Sequence, residues 1–342
     1  MNIRFFNPGA SFEAHEDEYT SKLFKILREG KLILQDDVKE FENNVIKFTG
    51  AKYCVALNSC TDALYLALRA YKIGIGDEVI VPSRTFVATV QVIVQVGATP
   101  IFYDIDGGIE DLITDKTKAI IPVHIEGAID THFSDILELA KEYDLYVIED
   151  SAQAFGAVFN GKKAGTIGDV GCYSFYPAKT LGAFGDAGAL VTNDENIFKW
   201  VKGARNHFKE DASDWGINSR LDNIQAGLLN IKFSYYEEAL KRREEIASMY
   251  HNNLSKKFEL PKPTAGRIWQ DYIIRASSKE ERDRLFDYLK ENGVETMKNN
   301  YPFPVAKLPL AQKYEDETLR LPCNENLTDE EIIKVINLIN KF

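Results

Sequence analysis

Between residues 50 and 205, short apolar runs alternate with stretches whose apolar positions follow a helical period. The short runs are rich in β-branched residues, which is typical of buried strands. The predicted strands are Tyr53–Leu57, Glu78–Pro82, Thr99–Tyr103, Ala119–Val123 and Leu145–Ile148, and the predicted helices are Asp62–Leu68, Thr85–Val96 and Asp135–Tyr143. Strands that are apolar on both faces and separated by helices indicate a largely parallel sheet covered by helices.

After Arg220 the pattern changes to a long amphipathic helical stretch that reaches about Leu254. Beyond two prolines, the chain predicts a strand at Trp269–Arg275, a helix at Glu280–Asn292 and a last helix from Asp329. This order predicts an α/β protein with a large domain over residues 12–240 and a smaller α+β domain over residues 241–342. We expect residues 1–11 to pack near the smaller domain.

Composition narrows the class of protein. The chain has 342 residues, 45% of them hydrophobic and 27% charged, as in soluble globular proteins. A formal net charge of −11 argues against nucleic-acid binding and against a basic membrane-docking face. The four cysteines show neither disulfide nor zinc-ligand spacing, and no run has the length of a transmembrane span. The expectation is a cytoplasmic enzyme without a bound metal.

Small polar or ionisable residues follow several predicted strands. Asn58, Ser83, His124 and Asp150 all lie at or just beyond the carboxyl end of a strand. In parallel sheets, ligands bind at this edge. We therefore expect the functional site there.

Lys179 is the strongest chemical candidate. It lies in the small-residue segment 174–189, with Gly182, Gly185 and Gly188 close behind it. One amine in such a loop, with the acid Asp150 at a strand end, is the layout that a pyridoxal-phosphate (PLP) enzyme needs. The lysine forms a Schiff base with the cofactor aldehyde, and the acid keeps the pyridine nitrogen protonated. Taken singly, the two residues also fit a solvated surface lysine and a helix-capping aspartate.

Other parts of such a site are visible but weaker. The helix start in the segment Asn58–Leu64 offers backbone N–H groups to a phosphate, although ordinary capping by Ser59 or Thr61 explains it equally well. Phe86 stands at the start of another helix. Two interpretations are open: its ring stacks on a flat heteroaromatic ring, or it belongs to the core. Arg84 is expected to be exposed. In one interpretation it also meets an anionic group of the substrate. Gln153 and Ser174 are placed to approach the ring oxygen and the phosphate, respectively.

The chain resembles the DegT/DnrJ-type sugar aminotransferases from about Phe41 to its C-terminus. The resemblance is carried by Asn58–Leu64, Thr85–Thr89, Glu149–Gln153, Ser174–Lys179 and Gly216–Ala226. It implies the type I PLP-transferase fold, in which helices sandwich a mostly parallel, seven-stranded type of sheet. It also implies PLP as cofactor, with pyridoxamine phosphate formed in turnover.

The resemblance implies a role for each motif residue. Lys179 would bind the cofactor covalently and then shuttle a proton. Asn218 would reach the cofactor phosphate of a neighbouring subunit, so that the active sites of a homodimer lie at its interface. The remaining cofactor contacts would be Asp150 at the pyridinium, Phe86 on the ring, Gln153 near the ring oxygen, and Ser174 with the Cys60 and Thr61 amides at the phosphate.

The implied substrates are glutamate and a nucleotide-linked keto-sugar. The leucine-glycine and Gly-Asp-Ala-Gly-Ala run in residues 181–189 is similar to members that aminate C3. This favours a dTDP-3-keto-6-deoxyhexose over a UDP-linked 3-keto sugar or a C4 amination, for cell-surface glycan or glycoside biosynthesis. Candidate substrate contacts are Arg84, Glu126, Tyr176, Arg220 and Tyr301. Glu126 and Asn300 replace an aromatic residue and a histidine that are common in relatives.

Three other functions remain to be weighed. A PLP-dependent sugar 3-dehydratase of the same fold typically has histidine in place of Lys179. A non-catalytic regulator would not need the set Lys179, Asp150 and Asn218. A nicotinamide oxidoreductase fits the β/α alternation, but no GxGxxG follows the first strand.

Overall fold

The computed structural model describes residues 2–298 and 307–342. The strands are β1 (Tyr53–Leu57), β2 (Glu78–Pro82), β3 (Thr99–Tyr103), β4 (Thr117–Ile120), β5 (Tyr146–Asp150), β6 (Val158–Phe159), β7 (Lys162–Lys163), β8 (Val170–Ser174), β9 (Gly188–Thr192), β10 (Tyr272–Arg275), β11 (Met297–Lys298) and β12 (Thr318–Leu321). The helices are α1 (Pro8–Glu13), α2 (Glu16–Glu29), α3 (Asp36–Thr49), α4 (Cys60–Ala70), α5 (Val87–Gln95), α6 (Phe133–Glu142), α7 (Glu195–Ala204), α8 (Asn223–Ser234), α9 (Tyr236–Asn253), α10 (Lys279–Glu291), α11 (Pro309–Glu317) and α12 (Asp329–Lys341).

The main sheet has seven strands in the order β1-β9-β8-β5-β4-β2-β3. Strand β9 runs antiparallel to both of its neighbours, and the other neighbouring pairs are parallel. The expectation of an α/β fold with a mostly parallel sheet is confirmed. The predicted bounds of β1, β2 and β3 agree with the structure.

Helices cover both faces of this sheet because its strands are apolar on both sides. On one face, α4, α5 and α7 pack against the sheet, and Ile148 of β5 belongs to that core. On the other face, Val147 of β5 packs in a cluster with α6. Successive residues of β5 therefore point into different layers.

A second core forms around the three-stranded sheet β10-β12-β11. It contains Ile246 and Tyr250 of α9 together with residues of α10 and α12. Ile3 joins this core, and its N–H donates to the Gly293 carbonyl at 2.8 Å. Tyr236, at the start of α9, packs instead in a core of the main sheet. The predicted boundary at 240/241 lies inside this shared helix and stays a prediction.

The amphipathic stretch predicted from Arg220 to about Leu254 is helical but is not one helix. The chain forms two helices, α8 and α9, that meet at Tyr235 (φ −105°, ψ 3°). The Tyr235 ring stacks on His15 with centroids 3.9 Å apart, and its hydroxyl donates to Glu18 at 2.6 Å. Docking of the N-terminal helices at the junction is a tertiary contact, which helical periodicity does not encode.

The strand predicted at Trp269–Arg275 begins only at Tyr272. The carbonyls of Trp269 and Gln270 accept hydrogen bonds from Arg243 Nη1, at 3.1 and 3.2 Å. Because these carbonyls bind a side chain, the segment before Tyr272 is irregular. Over the two described ranges, no helix has both the length and the apolar character needed to cross a membrane.

Candidate active site

A cavity of about 480 Å³ lies at the carboxyl ends of the central strands. Residues after β1, β2, β4, β5 and β8 line it, together with residues next to β10 and in β12. The lining includes the predicted cofactor residues Cys60, Thr61, Phe86, Asp150, Gln153, Ser174 and Lys179. Asn218 is not among the lining residues; it is exposed.

Asp150 ends β5 and is buried at the floor of this cavity. Its Oδ2 accepts a hydrogen bond from Thr89 Oγ1 at 2.7 Å, and its Oδ1 accepts one from the Ala152 N–H at 3.1 Å. Burial raises the pKa of the Asp150 carboxyl, and these hydrogen bonds partly offset the rise. A cationic N–H on the cavity side is the partner that such a carboxylate needs.

The Thr89 hydroxyl is oriented by a second threonine. Thr85 Oγ1 and Thr89 Oγ1 lie 2.8 Å apart. Thr89 has one hydroxyl hydrogen, which Asp150 accepts, so Thr85 must donate to Thr89. Thr85 lies just before the N-cap residue Phe86 of α5, and Thr89 lies in the first turn of this helix.

Glu149 precedes Asp150 but faces away from the cavity. Its Oε2 lies 2.9 Å from His124 Nε2. Because the Asp130 N–H donates to His124 Nδ1 at 3.1 Å, Nε2 carries the imidazole proton and donates to Glu149. Three backbone N–H groups also donate to Glu149, those of Gly165 (2.6 Å), Ile167 (2.7 Å) and Gly168 (2.6 Å).

Lys179 lies in a tight turn after β8 rather than on the solvated surface. Its N–H donates to the Tyr176 carbonyl at 2.8 Å. Burial lowers the pKa of the Lys179 amine, while the nearby carboxylates of Asp271 and Asp150 oppose this shift. A lowered pKa increases the fraction of neutral amine, which is the form that acts as nucleophile or base.

The glycines after Lys179 mark close backbone approaches. A Cβ at Gly182 would lie 2.2 Å from the Pro177 carbonyl oxygen. A Cβ at Gly188 would lie 2.3 Å from the Ser59 carbonyl carbon and 2.5 Å from the Cys60 nitrogen. The backbone is therefore closely packed at both positions. It brings the start of β9 directly against the start of α4.

The start of α4 can hold a phosphate. The Ser59 hydroxyl accepts a hydrogen bond from the Asp62 N–H at 3.1 Å, so Ser59 is the ordinary helix cap. The amides of Cys60 and Thr61 lie in the first turn, where N–H groups have no intrahelical acceptor. Both residues line the cavity together with Ser174. Helix start, hydroxyl, lysine and buried carboxylate together match the phosphate, aldehyde and pyridine nitrogen of PLP.

Three further side chains frame the cavity. Phe86 is the N-cap residue of α5 and is 48% exposed, so it is not a core residue. Gln153 Oε1 accepts the Glu126 N–H at 2.8 Å. Tyr176 is 54% exposed and lines the cavity next to the Lys179 turn.

The expectation that Arg84 is exposed is wrong. Its guanidinium forms an ion pair with Glu126 and stacks on the Tyr314 ring, 4.0 Å from the centroid. Burial lowers the pKa of the Arg84 guanidinium. Glu126 is buried as well. Both side chains line a neighbouring cavity of about 350 Å³ instead of the cavity that contains Lys179.

The other predicted substrate residues have different positions. Arg220 is partly buried, and its Nη1 donates to Asn206 Oδ1 at 3.1 Å, outside the Lys179 cavity. Tyr301, like the substitution at Asn300, lies outside the described residues.

Sequence reasoning gave no role to Thr89, Gln270, Asp271 or Arg320, all of which line the cavity. Asp271 Oδ2 and Arg320 Nη1 form a buried ion pair at 3.0 Å. The sequence signal for this ion pair was one charged residue among mostly apolar ones in each of two segments, Ile268–Ile274 and Thr318–Leu321. Thr89 lay in a quoted motif, and its spacing from Thr85 was the available signal.

A cavity lysine, a buried acid at a strand end and a phosphate-binding helix start define a PLP-dependent enzyme of the aminotransferase type. The model of the DegT/DnrJ/EryC1/StrS aminotransferase family matches residues 13–340. The chain belongs to this family, and the expected enzyme class and cofactor are confirmed.

Two relatives show the range of the family. The chain is 38% identical to the dTDP-3-amino-3,6-dideoxy-alpha-D-galactopyranose transaminase of Aneurinibacillus thermoaerophilus, with 96% of each chain covered. It is 36% identical to the UDP-N-acetyl-3-dehydro-alpha-D-glucosamine 3-aminotransferase of Acidithiobacillus ferrooxidans, with 97% of this chain and 95% of the relative covered.

Solved structures agree with the fold. The DesV structure from S. venezuelae superimposes with a TM-score of 0.93 at 31% identity, covering 99% of this chain and 98% of that one. NtdA from Bacillus subtilis, which was solved with bound cofactor PMP, has a TM-score of 0.88 at 28% identity, with coverage of 99% and 84%.

Proposed function

We propose that this protein transfers an amino group from glutamate to C3 of a nucleotide-linked keto-sugar, namely a dTDP-3-keto-6-deoxyhexose, for glycan or glycoside biosynthesis. The observation that carries the proposal is the meeting of Lys179, Asp150 and the start of α4 in one cavity. Both relatives carry names with nitrogen at C3, which supports the choice of carbon. The second relative's name favours a UDP-linked 3-keto sugar as the alternative acceptor.

PLP, when bound, supplies an aldehyde and a protonated ring that takes up an electron pair from the substrate. Lys179 would hold the cofactor and, as the free amine, would move a proton to and from the donor Cα. Asp150 would accept a hydrogen bond from the ring N–H and keep that proton in place. Burial lowers the pKa of Lys179, which favours the neutral amine that acts as a base.

The remaining contacts orient the cofactor. The Cys60 and Thr61 amides and the Ser174 hydroxyl would hold the phosphate, and Phe86 would stack on the ring. Gln153, whose amide is oriented by the Glu126 N–H, would approach the ring oxygen. Because Arg84 and Glu126 form a buried pair away from Lys179, we assign them to support of the site.

A spectroscopic experiment tests the cofactor chemistry. The protein incubated with PLP is expected to absorb in the near-UV and visible range, and glutamate is expected to bleach that band. Borohydride should fix the cofactor to wild-type protein and to the exposed-lysine control Lys162→Ala, but not to Lys179→Ala. A fixed cofactor in Lys179→Ala, or a wild-type protein that never develops the band, would refute the assignment.

A second experiment tests the acceptor. Wild-type protein is given ¹⁵N-glutamate with either a dTDP-linked or a UDP-linked 3-keto sugar, and NMR locates the carbon that bears ¹⁵N. We expect nitrogen on C3 and faster turnover of the dTDP-linked sugar. Faster turnover of the UDP-linked sugar would establish the alternative, and turnover only of a 4-keto sugar would contradict C3 amination.

We also propose that the enzyme is a homodimer in which Asn218 completes the neighbour's phosphate site. Asn218 is exposed outside its own chain's cavity, and nearby Trp215 is 86% exposed. Lys179→Ala and Asn218→Ala are expected to impair the enzyme singly. Mixed refolding should restore activity at about a quarter of the sites, because one site of each hybrid keeps both residues. No recovery would place Asn218 in its own chain's site or outside any site.

We place the enzyme in the cytoplasm. Its four cysteines are free and buried, in keeping with a reducing compartment. A tagged copy in the native host is expected in the soluble fraction after lysis, and recovery outside the cell would contradict this.

A further inference from the structure

Gln270 binds the backbone on both sides of Lys179. Its Nε2 donates to the Ala178 carbonyl at 2.9 Å, and its Oε1 accepts the Thr180 N–H at 3.2 Å. We propose that Gln270 is a positioning residue that fixes the main chain of Lys179, and thereby the direction of its amine. The proposal rests on the catalytic role proposed for Lys179.

The chemistry of the two contacts requires a carboxamide. A carbonyl only accepts and a backbone N–H only donates, so the partners determine which way the Gln270 amide points. The two contacts hold the peptide groups before and after Lys179. Since peptide groups are planar, fixing both of them fixes the φ and ψ angles of Lys179.

Gln270 is itself held from the second core. Its neighbours Trp269 and Tyr272 are buried there, and Arg243 Nη1 donates to the Gln270 carbonyl. Arg243 in turn pairs with Glu325 at 2.7 Å. The anchor of Gln270 is thus independent of its side-chain amide, and replacing that amide leaves the segment in place.

Other contacts also keep the turn folded. The Lys179 N–H donates to the Tyr176 carbonyl at 2.8 Å, which helps to hold the peptide group before Lys179, whereas the peptide group after it is held through the Thr180 N–H by Gln270. Thr180 Oγ1 lies 2.8 Å from the Tyr236 hydroxyl, and the Ala183 N–H donates to the Phe175 carbonyl at 2.8 Å. Loss of the Gln270 amide should therefore let the lysine reorient within a folded turn. Misplacement of a catalytic group by about 1 Å can cost about 10²-fold in rate.

The test uses single-turnover bleaching of the PLP-loaded enzyme by glutamate. We expect Gln270→Met and Gln270→Glu to slow this step by about 10²-fold, with borohydride-reducible cofactor, glutamate affinity and melting temperature all retained. The matched control is Gln225→Met, because Gln225 touches the same loop at Gly185 but not the peptides beside Lys179. The control should react at the wild-type rate.

A pH series separates positioning from a structural role. When protonated, the carboxyl introduced by Gln270→Glu can donate to Ala178 and accept from Thr180, as the amide does. The ratio of its rate to the wild-type rate should therefore rise as the pH falls, whereas the ratio for Gln270→Met should stay flat.

Wild-type rates in both Gln270 variants would overturn the proposal. So would losses that vanish with excess PLP, or that merely follow a lowered melting temperature. If Gln270→Met does not fold, the isosteric Gln270→Glu and its pH series decide. A wild-type enzyme that is not bleached by glutamate would instead refute the proposed function, before any variant is compared.

Discussion

Two adjacent carboxylates at the end of β5 have opposite surroundings. Both are buried, and the alternation of the strand directs them to opposite faces. Glu149 accepts four hydrogen bonds, from three backbone N–H groups and His124, within the protein. Asp150 accepts hydrogen bonds from Thr89 and Ala152 and a weak one from the Cys60 thiol at 4.0 Å, and otherwise faces the cavity.

The difference separates a structural acid from a functional one. A buried carboxylate with four donors needs nothing more, because its lone pairs are used inside the fold. The buried Asp150 carboxylate, with one hydroxyl donor, one backbone donor and a weak thiol donor, has a raised pKa and capacity for a cationic ligand. Burial and position on the strand do not distinguish the two residues, whereas the number of donors does.

The largest expected effect comes from Asp150→Asn. This change keeps the shape of the side chain but removes the charge that holds the ring proton. We expect amino transfer to fall by about 10²–10³-fold, with the cofactor still fixed by borohydride through Lys179. Steady-state kinetics with glutamate and a keto-sugar measure the rate of amino transfer. Near-wild-type turnover would eliminate Asp150 as the partner of the ring nitrogen.

Glu149→Gln should have the converse effect. The amide brings N–H groups against backbone donors and removes the charge that four donors share. We expect the free energy of unfolding to fall by about 3 kcal/mol, with turnover per folded molecule unchanged. Urea denaturation gives the first quantity and active-site titration the second. Unchanged stability together with lost turnover would reverse the two assignments.

A smaller effect is expected from Thr89→Val. The variant removes the hydroxyl donor to Asp150 and should raise the pKa of Asp150 further, slowing turnover by about tenfold. Thr85→Val is the matched control, because Thr85 donates to Thr89 and not to Asp150, so its effect should be smaller. Equal losses in both variants would indicate a general disturbance of the start of α5.

The smallest effect concerns stability and pH in the cofactor-free protein. The folded-state pKa of Asp150 is raised, so the folded state binds more protons than the unfolded state between the ordinary aspartate range and that raised value. Stability is therefore lost as the pH rises through this window. Asp150→Asn should remove this part of the slope, which paired denaturation curves from pH 4 upward can measure. Parallel slopes would mean that burial of the Asp150 charge carries no cost.

Much of this site could be predicted from the sequence because its parts are local. The strand that ends at Asp150, the glycines after Lys179 and the helix start at Cys60 each leave a pattern within a few residues. The fold followed from the alternation of apolar runs and helical periods, which placed strands β1, β2 and β3 correctly.

What the sequence did not reveal depends on distant contacts. Arg84 was expected at the surface because its partner Glu126 lies 42 positions further along, and no local pattern joins them. Gln270 acts on a turn about 90 residues before it. The break at Tyr235 depends on His15 and Glu18, near the opposite end of the chain.

The absence of a side chain at Gly188 has a consequence for how the cofactor site tolerates change. The first residue of β9 touches Ser59 and Cys60 so closely that even a methyl group would displace the start of α4. The antiparallel strand therefore acts as a spacer that sets the height of the phosphate-binding amides above the sheet. Substitutions elsewhere in β9 can be tolerated, but a side chain at position 188 would shift the phosphate-binding amides and thereby change the affinity for the cofactor.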